Sequence, residues 1–223
     1  MFRLPDRSQS SGFGVGGGNP GRGKVNRVVM RCLAILTLAA LLGCATSRLV
    51  TQQANPDYVG KSFKTVMVVA VTTDEIVRRT YEDRLSALLG KRGLKGIPAY
   101  SVVESRGRVE EADLRQALAR AGAEGVLITR VTRVARESGT VPGATVGVGL
   151  YGYYGGVWQT VTTGPQQISG PSWTLSETRL FDAKTGALAW TGIVDTKEND
   201  DLGAALTQYI NMIFDAMVSD RVL

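Results

Sequence analysis

The sequence predicts an α/β domain: a β-α-β-α-β run followed by a β-hairpin and a C-terminal helix, forming a mixed sheet in a single three-layer-like unit. Three observations carry this expectation. A β-branched apolar run fills residues 65–72. Segments of helical period then alternate with further apolar runs as far as residue 134. Near the C-terminus, Asp182-Ala-Lys-Thr-Gly186 joins two segments of strand period.

Taken in order, Thr65 to Thr72 (TVMVVAVT) has the composition of a strand buried on both faces. Thr72 and Glu75 have the S/T-x-x-E spacing of a capping box, so a helix is expected to begin here. Val77, Tyr81, Leu85, Leu88 and Leu89 share one helical face, and Gly90 or Gly93 supplies the stop. A second strand is expected over Ile97–Val103, a second helix over Glu110–Ala121 ended by Gly122, and a third strand over Gly125–Val134. Strands joined through helices need crossover connections, which make them parallel. Trp173–Phe181 and Leu188–Thr196 instead alternate around a short loop ending in glycine, an antiparallel hairpin. Leu202, Leu206, Tyr209, Ile210, Ile213 and Met217 mark the last helix, with Asn199 or Asp200 as its cap. Whether the hairpin joins the edge of the parallel sheet or forms its own layer is open at this level.

The N-terminal region is of another kind. Leu33 to Leu42 (LAILTLAALL) is apolar, follows Met30-Arg31 and ends at Gly43-Cys44. It is shorter than the ~20 residues a membrane-spanning helix requires. A basic flank, a short apolar run and small residues at its end describe a signal peptide. Leu41-Leu42-Gly43-Cys44 resembles the lipobox of bacterial lipoproteins. That resemblance implies cleavage between Gly43 and Cys44 and a diacylglyceryl group on the Cys44 thiol, with palmitate or a similar acyl chain on the new amine. Ala45 after the cysteine resembles the outer-membrane signal of enterobacterial lipoproteins, implying the periplasmic face of the outer membrane. The expected organisation is a disordered or over-extended 1–29 with Met30 as the start, a signal peptide over 30–43, a lipidated cysteine and tether over 44–64, and a periplasmic domain over 65–223. At ~3.3 Å per extended residue, a tether over 45–60 would reach on the order of 50 Å.

Charge supports this division. The chain has 26 basic and 20 acidic residues; six basic residues and one acid lie within 1–43, leaving 20 and 19 for the remainder. The positive balance belongs to the leader, so counterion release has little to act on and nucleic acid is not expected as a partner. Histidine is absent, which excludes Ser-His-Asp and Cys-His catalysis and every histidine-bearing metal site. Removal of the leader takes Cys32 with it, so Cys44 has no disulfide partner within the mature chain. No catalytic residue, metal or cofactor is expected.

Ala123-Glu-Gly-Val-Leu-Ile-Thr-Arg-Val131 entering the third strand and Arg179-Leu-Phe-Asp-Ala-Lys-Thr-Gly186 in the hairpin, together with the order of elements, resemble a group of periplasmic lipoproteins. The group includes the curli-secretion lipoprotein, the lipoprotein activators of penicillin-binding proteins and the TolB N-terminal domain. A set of proteobacterial lipoproteins of unknown function shares the Tyr-Gly-Tyr-Tyr of residues 151–154. The resemblance spans roughly 65–220 and implies a domain that works by contact with an envelope protein and not by catalysis.

Residues 139–171 contain nine glycines with Tyr151, Tyr153, Tyr154 and Trp158 among them. A long insertion of this composition reads either as a partner-binding loop, whose rings bury area while their polar edges stay wet, or as an excursion folded onto its own domain. Asp74-Glu75, Glu110-Glu111 and Asp200-Asp201 each sit where a helix begins, so the helix dipole accounts for them; Glu82-Asp83 followed by Arg84 reads as a solvated helix face. The expected function is that of a lipid-anchored, non-enzymatic binding or assembly factor of the cell envelope. The alternatives are a subunit of an oligomeric secretion or envelope-assembly complex and, behind it, a hydrolase using carboxylates alone.

Overall fold

Among the described residues, six strands form one mixed sheet in the order β1-β6-β5-β4-β2-β3. The computed structural model describes residues 47–103, 107–135, 149–163, 172–197 and 201–223, all within the second of the chain's two units, Ala45–Leu223. The strands are β1 (Ser47–Ala54), β2 (Thr65–Val71), β3 (Lys95–Pro98), β4 (Gly125–Ala135), β5 (Ser172–Asp182) and β6 (Leu188–Lys197). The helices are α1 (Glu75–Lys91), α2 (Glu111–Ala121), α3 (Gly149–Thr163) and α4 (Leu202–Ser219).

The expected α/β class and mixed sheet are what the domain has. β2 pairs in parallel with β3 and β4, and the β5–β6 hairpin adds antiparallel to β4, which places it in the same sheet. β2 is buried on both faces because successive side chains point to opposite sides. Val66, Val68 and Ala70 enter a core with α1 and α4; Met67, Val69 and Val71 enter a second core with α2 and α3. The result is three layers. The buried residues of the two cores run from Tyr58 to Val222.

Five local expectations are corrected. The tether reading of 44–64 fails over Ser47–Ala54, which pairs antiparallel with β6 as an edge strand bulged at Val50; Tyr58 and Phe63 beyond it are core residues. The segment SRLVTQQA carries little apolar patterning, but ladder hydrogen bonds need only backbone. The second strand is Lys95–Pro98, followed by a 3-10 turn at Ala99–Ser101, and not Ile97–Val103. The cap of α1 is Asp74, whose carboxylate accepts from the Ile76 and Val77 amides at 2.9 and 3.0 Å, while the Thr72 hydroxyl accepts from Asp74 itself. The cap of α4 is Asp201, accepting from the Ala204 amide at 2.9 Å; Asn199 and Asp200 lie outside the described residues.

The fifth correction concerns 139–171. Residues 149–163 form α3 and not a structureless loop; the expectation over 139–148 and 164–171 lies outside the described residues. Gly152, Gly155 and Gly156 inside the helix each cost roughly 1 kcal/mol against alanine. Burial overrides this. Leu150, Tyr153, Tyr154, Val157 and Trp158 recur at i, i+3, i+4, i+7 and i+8 and are all buried against the second core. Gly149, at φ 81°, starts the helix close to Gly186, whose carbonyl accepts from the Leu150 amide.

Candidate functional site

A cleft of about 470 Å³ opens between the first turns of α1 and α4 at the carboxyl ends of β2 and β4. Its volume lies in the ~300–1,000 Å³ range of small-ligand pockets, and open α/β sheets bind ligands at this end. Strand direction builds it: α1 leaves the end of β2 and α4 follows β6, so two helices start side by side over one sheet face.

Four hydroxyls run beneath the cleft. Tyr81 Oη lies 2.6 Å from Thr129 Oγ1, Thr129 Oγ1 lies 2.7 Å from Thr178 Oγ1, and Thr178 Oγ1 bonds Tyr209 Oη. Burial pushes the Tyr81 phenol well above its usual range and the Tyr209 phenol up to about 12. Both stay neutral near pH 7, and each hydroxyl of the chain already has a partner. The walls are mainly aliphatic, from Val71, Val77, Val131, Leu202 and Leu206, with Thr174, Ser176 and Thr196 on the sheet side. Asp74 also lines the cleft, but its carboxylate is engaged with the two amides it caps. The arrangement is suited to binding an apolar group and supplies no paired acid and base.

The residues singled out in the sequence fall elsewhere. Gly43 and Cys44 lie outside the described residues. Tyr153, Tyr154 and Trp158 are buried, so the expectation that they face a partner is corrected by the helical period that turns them inward. Tyr153 packs 5.5 Å from the Phe181 ring with the Arg179 guanidinium 4.3 Å from its own. Tyr154 Oη accepts from the Val109 amide at 3.2 Å. Tyr151 is half-buried, with the Arg115 guanidinium 3.7 Å over its ring.

Two features were not visible beforehand. On the α3 side of the sheet, Glu177 accepts from Arg130 Nε at 2.6 Å and from Arg179 Nε at 2.7 Å, a buried carboxylate between two guanidiniums. Glu82, expected on a solvated face, is only 1% exposed. Its two oxygens accept from the Ala70 and Tyr100 amides at 3.0 and 2.9 Å. β3 ends opposite Val68 at Pro98, so Ala70 on β2 has no ladder partner on that side, and Glu82 provides one. Among the described residues no group of three or more Cys, Asp or Glu side chains is placed to hold a metal ion, and no helix is long and apolar enough to cross a membrane.

Glu82→Gln is expected to destabilise the domain by about 1–3 kcal/mol, because an amide group must present one of its own donors to a buried N–H. Burial raises the Glu82 carboxyl above its ordinary 4.5, against the two amides that lower it. The folded state thus holds the proton more tightly, a contribution complete below the unfolded value and lost as pH rises through the folded one. Melting temperatures from pH 4 to 8 should show the parent losing ground to Glu82→Gln as pH rises. A gap independent of pH refutes the assignment.

No protein-family model and no curated protein matches the chain. Solved structures similar to it include the PelC dodecamer from Paraburkholderia phytofirmans, at 12% identity and TM-score 0.40, covering 79% of this chain and 99% of that one. Lipoprotein GNA1162 from Neisseria meningitidis is similar at 19% identity and TM-score 0.36, covering 70% and 94%. A PDZ domain protein from Parabacteroides distasonis is similar at 10% and 0.37, covering 85% and 39%. Likenesses of this size carry no function to the chain.

Proposed function

We propose that the chain is a lipoprotein of the bacterial cell envelope, anchored through Cys44 at the periplasmic face of the outer membrane, whose domain binds another envelope component without catalysing a reaction. The observation that carries the reading is the junction itself: Leu-Leu-Gly-Cys closes an apolar leader directly before the compact unit Ala45–Leu223. A signal-peptide cut there would release one intact domain. The fold also shortens the expected tether to Ala45 and Thr46, so the anchor and β1 are separated by at most ~10 Å of chain. Such a domain works at the membrane surface and not ~50 Å away from it.

Growth with labelled palmitate tests the anchor. The parent protein is expected to incorporate label and sediment with membranes, and Cys44→Ala to lose the label entirely and accumulate as the uncut precursor. Label retained by Cys44→Ala would overturn the reading. An oligomeric assembly is the second reading, favoured by β1, whose outer edge pairs with no strand among the described residues.

A further inference from the structure

We infer that the cleft between α1 and α4 takes up one acyl chain of a membrane phospholipid. The inference rests on the anchored reading for one point, the direction in which the cleft faces; the cleft's chemistry stands apart from it.

The start of β1 lies beside the cleft mouth. β1 runs antiparallel to β6 with Ser47 opposite Thr196, and the two hydroxyls are 3.1 Å apart. Thr196 is itself a lining residue. On the anchored reading, a lipid on Cys44, three residues before Ser47, leaves at most ~10 Å of chain between this end of the sheet and the bilayer. The first turns of α1 and α4 and the end of β4 lie at the same end.

That end carries the two most exposed aliphatic side chains of the described residues, Ile76 at 79% and Leu202 at 60%, together with Val131 at 43%. Leu202 and Val131 line the cleft, and Ile76 precedes Val77, which does. Apolar residues around the mouth of an apolar cleft mark an interaction surface, and the short tether says which surface meets it.

The interior selects the ligand class. The four floor hydroxyls bond one another, so an apolar occupant strands none of them. Both helix N-termini are closed by their own carboxylates, Asp74 and Asp201, which disfavours a phosphate or carboxylate inside. A hydrocarbon chain inserted past a headgroup that stays at the mouth meets both conditions.

The 45–223 domain, which contains both cores, is mixed with phosphatidylethanolamine vesicles doped with a pyrene-acyl phosphatidylethanolamine. Removal of single lipids converts excimer to monomer emission. The parent domain is expected to produce that change. Val131→Lys and Leu202→Lys, at exposed positions that leave the cores intact, should weaken it roughly tenfold, while Val218→Lys on the far part of α4 should not. No change with the parent domain, or equal change with all three variants, overturns the inference. Lipidated full-length protein supplies the other arm, read by photocrosslinking from position 205. Capture of the protein's own Cys44 lipid, or of a peptide, in place of phospholipid also overturns it. The domain lacks Cys44, so failure here is separable from failure of palmitate labelling.

Discussion

Replacing Trp190 with alanine is expected to cost about 3–5 kcal/mol, a large part of what holds a domain of this size together. Trp190 is among the largest side chains the fold buries completely, and it lies between β6 and α4 in the first core. Its indole Nε1 donates to Asp220 Oδ2 at 2.7 Å, tying the hairpin to the end of the last helix. The ring folds along its own strand over Gly192. A Cβ on Gly192 would come within 2.2 Å of it, so the two residues fit only as a pair. Truncation removes the ring's transfer energy, leaves a cavity walled by a rigid sheet, and frees the C-terminal turn. Urea unfolding of the 45–223 domain measures the loss, and the melting temperature should fall by roughly 10 °C. A loss under about 1 kcal/mol would mean that the surroundings collapse into the space.

The contrast between Trp190 and the cleft explains what could be read from the sequence. β2, β4, the hairpin and α4 carry their periodicity in their own residues, so each is legible from a short window, and the Asp182 turn identifies the hairpin. β1 is held by backbone pairing to residues about 140 positions away, beginning with Ser47 opposite Thr196, and its polar side chains carry no sign of it. α3 did carry a sign. Its 150, 153, 154, 157, 158 stripe was present, but nine glycines across 139–171 outweighed it in a reading by composition. Propensity and period conflicted there, and burial of five side chains decided for period.

The cleft was hidden for a different reason. Its hydroxyl chain links Tyr81 to Thr129, Thr129 to Thr178 and Thr178 to Tyr209 across separations of 48, 49 and 31 residues. Two threonines within apolar strands look like ordinary β-branched choices until the sheet order sets them side by side. The role of Glu82 is hidden for a related reason: the acceptor is needed because β3 stops at Pro98, a fact about another element.

Glu177→Ala is expected to have an effect as large as the tryptophan change, about 3–5 kcal/mol, by a different route. The carboxylate sits between Arg130 and Arg179, and both Glu177 and Arg130 are buried. Removing it leaves two like charges facing each other beneath α3, where Arg130 is buried and Arg179 only partly exposed to screening water. Arg179 also lies over the ring of Tyr153, so the unpaired guanidinium is set against the residue that docks a glycine-rich helix. The α3 amides should therefore lose hydrogen-exchange protection before the rest of the domain does, because that helix has little intrinsic stability to fall back on. Replacing all three charges with Met, Leu and Met separates the cost of breaking the cluster from the worth of having it. Buried ion clusters are often matched by apolar residues of similar volume. The triple variant is accordingly expected to recover most of what the single change loses, and its α3 amides to regain protection. If the triple variant were as unstable as Glu177→Ala, the cluster would be contributing net stability, and the damage could not be assigned to unpaired arginines.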